Sequence, residues 1–239
     1  MVFSCLQLPN ITANAEDSKD STAYLRFRYE REDKTYNDEE NIIVSFDDSK
    51  DGVSLNLSDD YGKYAVVEVP AGTKKIAYKV GEGKEKECDA DALLNKEILT
   101  SVDKDGKVAE KITDLNKDKA DITVRLHYFR YDQNYEKWDV WSWIDGGNGA
   151  AYTFEEEEFK EGKTAQVTEI PAEKLAAKTN INFLVRKIDW SQKDPDENRS
   201  INKAYANKDG VIDAYVVTGE KTVYYDKNDV DISPKVTAA

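Results

Sequence analysis

Histidine and cysteine are nearly missing from this chain, and that scarcity narrows its chemistry before any motif is sought. His127 is the single histidine, so Ser-His-Asp catalysis and His-cluster metal sites have almost nothing to be built from. Two cysteines, Cys5 and Cys88, argue against a disulfide framework. Cys88 is expected to keep its thiol, partly buried and with no histidine to activate it. No apolar run approaches the ~18 residues of a membrane span, and no Gly-rich phosphate loop follows a strand. Positive charge is also short: 34 Lys and Arg stand against 48 Asp and Glu, a formal net charge of −14. Such a field repels nucleic acid and anionic membrane surfaces, and it fits a neutral ligand. No nucleic-acid partner and no membrane insertion are expected.

Of the 239 residues, 39% are hydrophobic and 34% charged, enough apolar material for real cores in one large or two small domains. Leucine is sparse while Val, Ile, Thr and Tyr are plentiful, a leaning toward β structure. Val2 to Leu8 is fairly apolar, and Ala13-Asn14-Ala15 has the small-x-small form of a cleavage site, although no basic region precedes it. Residues 1–21 read as a secretory-signal remnant and flexible leader, against the plainer reading of a disordered leader. Bulky Phe3 argues against a lipid anchor at Cys5.

Alternation begins after Thr22, with Ala23, Leu25, Phe27 and Tyr29 on one parity and Tyr24, Arg26 and Arg28 on the other. Further strands are expected over 41–46, 64–69, 74–80, 98–102 and 107–112, with a short helical turn within 89–94. A second series is expected over 121–130, 139–144, 152–154, 165–170, 180–187, 211–218 and 222–225. Turn signals such as Asp51-Gly52, Ala71-Gly72 and Asp105-Gly106 separate them. Short strands at regular spacing, without amphipathic helices, predict an all-β sandwich rather than an α/β fold. The two series are also copies. Leu25-Arg26-Phe27-Arg28-Tyr29 echoes Val124-Arg125-Leu126-His127-Tyr128, and Ile76 to Val80 echoes Ile181 to Val185. Echoes in order at an offset of roughly one hundred residues predict two tandem immunoglobulin-like antiparallel β-sandwiches. Their expected bounds are 22–117 and 118–230, with 231–239 as a link to a further domain.

Three of the four tryptophans fall within Trp138-Asp139-Val140-Trp141-Ser142-Trp143. On a strand, Trp138, Val140 and Ile144 share one face and Trp141 with Trp143 the other. The first set completes an apolar face, so the second pair is surplus to a core. Trp190 stands in a polar stretch past the strand ending near Lys187, poorly placed for burial. Three such rings make flat amphipathic platforms, each able to bury ~150–250 Å². The apolar C–H faces of pyranose rings suit them, and Lys193, Asp194 and Asn198 stand nearby in sequence as donors and acceptors. The indoles could equally face a neighbouring domain. In the first copy the counterpart of Trp141-Ser142-Trp143 reads as Val44-Ser45-Phe46, with nothing aromatic at the place of Trp190.

Other motifs point to structure. Glu155–Glu158 reads as a solvated loop or strand edge, and Asp103-Lys104-Asp105-Gly106 lacks the remaining ligands of a calcium loop. No catalytic set, metal site or cofactor is expected.

His127-Tyr128-Phe129-Arg130-Tyr131-Asp132, the tryptophan strand, and Val185-Arg186-Lys187-Ile188-Asp189-Trp190-Ser191-Gln192-Lys193-Asp194 together resemble a family 41 carbohydrate-binding module. Tyr215 to Tyr225 fits as well, so the resemblance spans nearly all of 121–229; residues 22–115 look like a degenerate copy. The resemblance implies an immunoglobulin-like sandwich that binds α-1,4-glucans (starch, glycogen, amylopectin, pullulan) at the N-terminus of a secreted or surface-bound bacterial pullulanase. It implies Trp141, Trp143 and Trp190 as stacking platforms and Lys193 as a hydrogen-bond donor. Asn198 stands where the family has an aspartate, so a charge-assisted bond is replaced by an amide contact. The chain is then expected to be a monomeric, non-catalytic piece of a debranching glycoside hydrolase, its partner an α-glucan or maltooligosaccharide. The first copy serves as a spacer, unless tyrosines such as Tyr36, Tyr61 and Tyr64 bind sugar. The alternative is an immunoglobulin-like adhesin or protein-interaction module.

Overall fold

The structure, a computed structural model, describes residues 22–37, 41–47, 49–117, 121–172 and 180–233. The expected leader over 1–21 and most of the expected link over 231–239 lie outside them. The chain divides into two compact units, the first ending at Asp118. Among the described residues all regular elements are strands apart from three short 3₁₀ turns, one of them at Ala90–Ala92 within the expected helical turn.

The first unit holds β1 (Ala23–Arg31), β2 (Asn41–Phe46), β3 (Ser49–Ser54), β4 (Leu57–Ser58), β5 (Lys63–Val69), β6 (Lys75–Val80), β7 (Lys86–Asp89), β8 (Lys96–Val102) and β9 (Val108–Asp114). They form one sheet in the order β4-β5-β1-β8-β9 and another in the order β3-β2-β6-β7. Leu25, Phe27 and Tyr29 of β1 meet Ile42 and Val44 of β2 and Ile76, Tyr78 and Val80 of β6 in one core. Alternation produces this: every second side chain of each strand points inward, and each large apolar group so buried contributes ~1.5–3 kcal/mol.

The second unit holds β10 (Ile122–Phe129), β11 (Trp138–Ile144), β12 (Ala150–Thr153), β13 (Glu155–Glu158), β14 (Thr164–Ala172), β15 (Asn180–Lys187), β16 (Lys193–Asn202) and β17 (Val211–Val217). Its sheets run β13-β14-β10-β17 and β12-β11-β15-β16, the orders of the first unit strand for strand, less β9. Both units also build the same corner. The Arg31 guanidinium donates to the Tyr29 hydroxyl and to Asp33 while its backbone N–H donates to the Tyr36 hydroxyl. Arg130, Tyr128, Asp132 and Tyr135 repeat those bonds.

Five features depart from the sequence reading. The sandwiches are not wholly antiparallel, because β1 runs parallel to β8 and β10 parallel to β17. β1 and β8, and likewise β10 and β17, lie side by side in one sheet, and the chain between them crosses through the other sheet. Residues 49–54, 86–89 and 193–202 are strands whose polar composition hides them. Residues 222–225 contribute only one bridge, Tyr215 to Tyr224. The outer face of β1 is covered: Arg28 is fully buried, with Asp59 2.7 Å away and the Tyr64 ring beneath its guanidinium. Finally, Cys88 does not keep its thiol; it is disulfide-bonded.

Candidate functional site

The outer face of the sheet β12-β11-β15-β16 carries the candidate site. Along β11, Trp138, Val140 and Ser142 are buried, whereas Trp141 and Trp143 are only half-buried on the opposite face. Adjacent side chains on one face of a strand stand ~6.6–6.8 Å apart, so the two indoles form a short row. Trp138 packs with Val140 in the core, beneath the guanidinium of Arg130 at 4.5 Å.

Cross-strand pairing decides what surrounds the row. Trp141 lies opposite Leu184 on β15 and Ala151 on β12, and Trp143 lies opposite Asn182. Gly149 supplies the floor under Trp141: a Cβ added there would sit 2.3 Å from the indole Nε1. Beside Trp143 the Asn182 amide donates to Asp145 (2.6 Å) and accepts from the Ser200 hydroxyl (2.7 Å). This polar chain crosses three strands at the edge of the ring.

Trp190 reaches the same face from the β15–β16 hairpin and is half exposed. Its backbone is left-handed, φ +64°, unfavourable for a bulky side chain. The turn holds it there: Trp190 N–H donates to the Lys187 carbonyl at 2.8 Å. The Asp189 carboxylate accepts from the Ser191 hydroxyl and N–H, and those bonds keep Asp189 below the usual carboxylate range. The Trp190 and Trp141 ring centroids are 5.6 Å apart with planes inclined at 60°. Under both lies Arg186, its guanidinium carbon 3.8 Å from the Trp190 centroid and 4.8 Å from that of Trp141.

The remaining expected residues separate. Lys193 opens β16 opposite Arg186, exposed, with its ammonium 3.6 Å from Asp196. Asn198 lies in a bulge: Asp194 opposes Val185 and Arg199 opposes Phe183, so residues 195–198 loop out across from Leu184 alone. It is exposed and makes no side-chain bond among the described residues. Asp194, offered by its sequence position as a sugar contact, is buried instead. Its carboxylate accepts from the Tyr128 and Thr218 hydroxyls, the Gly219 N–H and Arg130. It ties the hairpin to the sandwich and faces away from the indole row.

Strand register also corrects the internal comparison. Ile42 opposes Val80 as Val140 opposes Val185, so the counterparts of Trp141 and Trp143 are Ile43 and Ser45, one residue before the expected Val44 and Phe46. Val44 and Phe46 are core residues, equivalent to Ser142 and Ile144. Of the three tyrosines considered in the first unit, Tyr64 is buried and Tyr36 packs edge-on against Tyr29, while Tyr61 is exposed. Sequence reasoning missed Arg186, Asp139, Gly149 and Asn182. The available signal was Asp139 and Arg186 themselves, opposite charges set within two largely apolar strands.

Solved structures similar to this chain include a product complex of the multi-modular glycogen-degrading pneumococcal virulence factor SpuA, at 17% identity and a TM-score of 0.32. That likeness covers 87% of this chain and 22% of the SpuA chain, so the present chain spans about a fifth of that protein. A streptococcal virulence-factor module described as binding α-glucan is similar at 17% identity and TM-score 0.31, covering 87% of this chain and 99% of its own. The fimbrial anchor protein Mfa2 from Porphyromonas gingivalis is similar at 10% identity and TM-score 0.29, covering 84% and 94%. Among the described residues no helix is long and apolar enough to cross a membrane. Residues 122–225, the stretch that carries all three indoles, match the model of the bacterial pullanase-associated domain.

Proposed function

We propose that the second unit binds α-1,4-glucans without catalysing their cleavage, as a family 41 carbohydrate-binding module. Trp141, Trp143 and Trp190 stack on successive glucose rings, and Lys193 and Asn198 hydrogen-bond their edges. The observation that carries this is the row of half-exposed indoles on one face, on a scaffold whose other copy has Ile43, Ser45 and Glu85 instead. The match of residues 122–225 to a pullanase-associated domain supports the same reading. The chemistry of this reading is recognition: C–H faces cover the indoles while hydroxyls stay free to bond. A shallow site of this kind gives Kd of order μM to mM. That is enough to hold an appended pullulanase-type glycoside hydrolase on a polymer that presents many sites.

In this reading the protein is secreted or displayed on a bacterial surface and acts as a monomer, and the first unit, a degenerate copy, is a spacer. Electrophoresis through gels containing glycogen, with pull-down on insoluble starch against cellulose, tests it. Retardation of the parent and its loss in Trp141→Ala and Trp143→Ala are expected. Equal migration of parent and variants would sink the platform. Ile188, exposed to 53% two residues before Trp190, favours the second reading, a protein-binding or adhesin surface. Failure to bind any starch, with tight capture of a protein partner lost in Ile188→Asp, would favour it.

A further inference from the structure

Trp190 sits half exposed on a hairpin, so packing alone does not hold its ring, and the group beneath it is a cation. Arg186 is 4% exposed. It is gripped by Asp139 through Nε to Oδ1 at 2.9 Å and Nη2 to Oδ2 at 3.3 Å, and each of the two side chains is 5% exposed. A planar guanidinium fixed by such a fork presents its face to aromatic rings in a way a lysine ammonium does not. Here it lies against Trp190 and Trp141 at once. Its third nitrogen, Nη1, is buried without a hydrogen-bond partner among the described residues, which costs stability. Buried ion pairs can often be replaced by apolar pairs with no loss of stability. The first unit does without this one, having Gly81 where the second has Arg186 and Asn41 where it has Asp139, by the same register that equates Ile43 with Trp141. Clamp and indoles occur together in one copy and are absent together from the other.

We propose that Arg186, locked by Asp139, is a positioning residue that sets the inclination of Trp190 to Trp141 and so pre-forms the surface on which the glucan stacks. The proposal rests on the glucan reading for its functional consequence. Released from the guanidinium, Trp190 gains about three χ1 wells and two χ2 wells. With one of about six conformers competent, apparent affinity falls by that fraction. The expected loss for Arg186→Lys is therefore about five- to tenfold in Kd.

The test uses the full chain and maltoheptaose as probe. Because Arg186→Lys leaves Asp139 poorly paired in the interior, a second variant, Asp139→Leu with Arg186→Leu, removes both charges at similar volume and is expected to melt at or above the parent temperature. Two readouts are taken: Kd by calorimetry, and the near-ultraviolet circular dichroism of the tryptophans without ligand, which reports how the two indoles are inclined. Both variants should lose the parent indole signal and bind more weakly. A folded double-leucine variant with the parent signal, or with a changed signal and the parent Kd, overturns the proposal. Should the parent not bind maltoheptaose, the glucan reading fails, and the indole signal alone still decides whether Arg186 sets the ring geometry.

Discussion

Gly149→Ala puts the seat of Trp141 to a direct test. A Cβ at Gly149 would stand 2.3 Å from the indole Nε1, 2.4 Å from Cε2 and 2.6 Å from Cζ2, whereas carbon atoms in contact settle near 3.5–4.0 Å. Relief requires a movement of about 1 Å, and Arg186 and Trp190, which also contact the ring, limit where it can go. Forcing a methyl group into such a contact costs about 1–3 kcal/mol. If the loop stays in place, the indole leaves its site and that cost appears in binding, as a loss of about five- to 150-fold in Kd. Gly146→Asn is the matched control: a Cβ there meets nothing within 4 Å, and asparagine tolerates its left-handed backbone. Calorimetry with maltoheptaose and tryptophan emission spectra on both variants measure the effect. Parent affinity together with parent emission in Gly149→Ala would refute the reasoning that Trp141 depends on a bare backbone beneath it.

Trp138 and Trp143 should separate by role. Trp138→Ala removes a core side chain and is expected to cost ~3–5 kcal/mol in urea denaturation. Trp143→Ala should cost no more than about 1 kcal/mol while weakening glucan retention; equal destabilisation of the two would contradict the division. Asp194→Ala leaves the Tyr128, Thr218, Gly219 and Arg130 donors without their acceptor. A loss of ~3–5 kcal/mol is expected, and a variant as stable as the parent would show the carboxylate to be dispensable. Burial alone would raise the pKa of Asp213, but its bonds to His127 and Arg125 outweigh this and hold it below the ordinary carboxylate range. A carboxylate depressed in the folded state contributes stability above its unfolded value and loses it as pH falls through the folded one. The stability gap between parent and Asp213→Asn should therefore be full at pH 6 and shrink below about pH 4. A gap unchanged at acid pH would contradict the assignment.

How much of this was legible in advance varies by element. The strict alternation of 23–29 and the echo of 25–29 in 124–128 are local patterns, and the strands and cores they imply are present. The strand at 193–202 was unreadable because its residues are polar, interrupted by Pro195, and paired only on one side through a bulge. Arg186 and Asp139 are 47 residues apart, and nothing local announces that their strands are neighbours. Asp194 misled for the opposite reason: proximity to Trp190 along the chain implied proximity to the ligand, but neighbours on a strand point to opposite faces.

The parity of 138–144 was enough to divide one tryptophan for the core from two for the surface, since side-chain alternation belongs to the strand and needs no partner. Which rings meet was settled only by register. Trp141 reaches Trp190 because β11 pairs with β15 so that Trp141 opposes Leu184 and Asp139 opposes Arg186. A slip of one residue would turn the whole apolar set to the other face. Long-range pairing of that kind, together with the hairpin that aims Trp190 inward, converts three separate indoles into one surface.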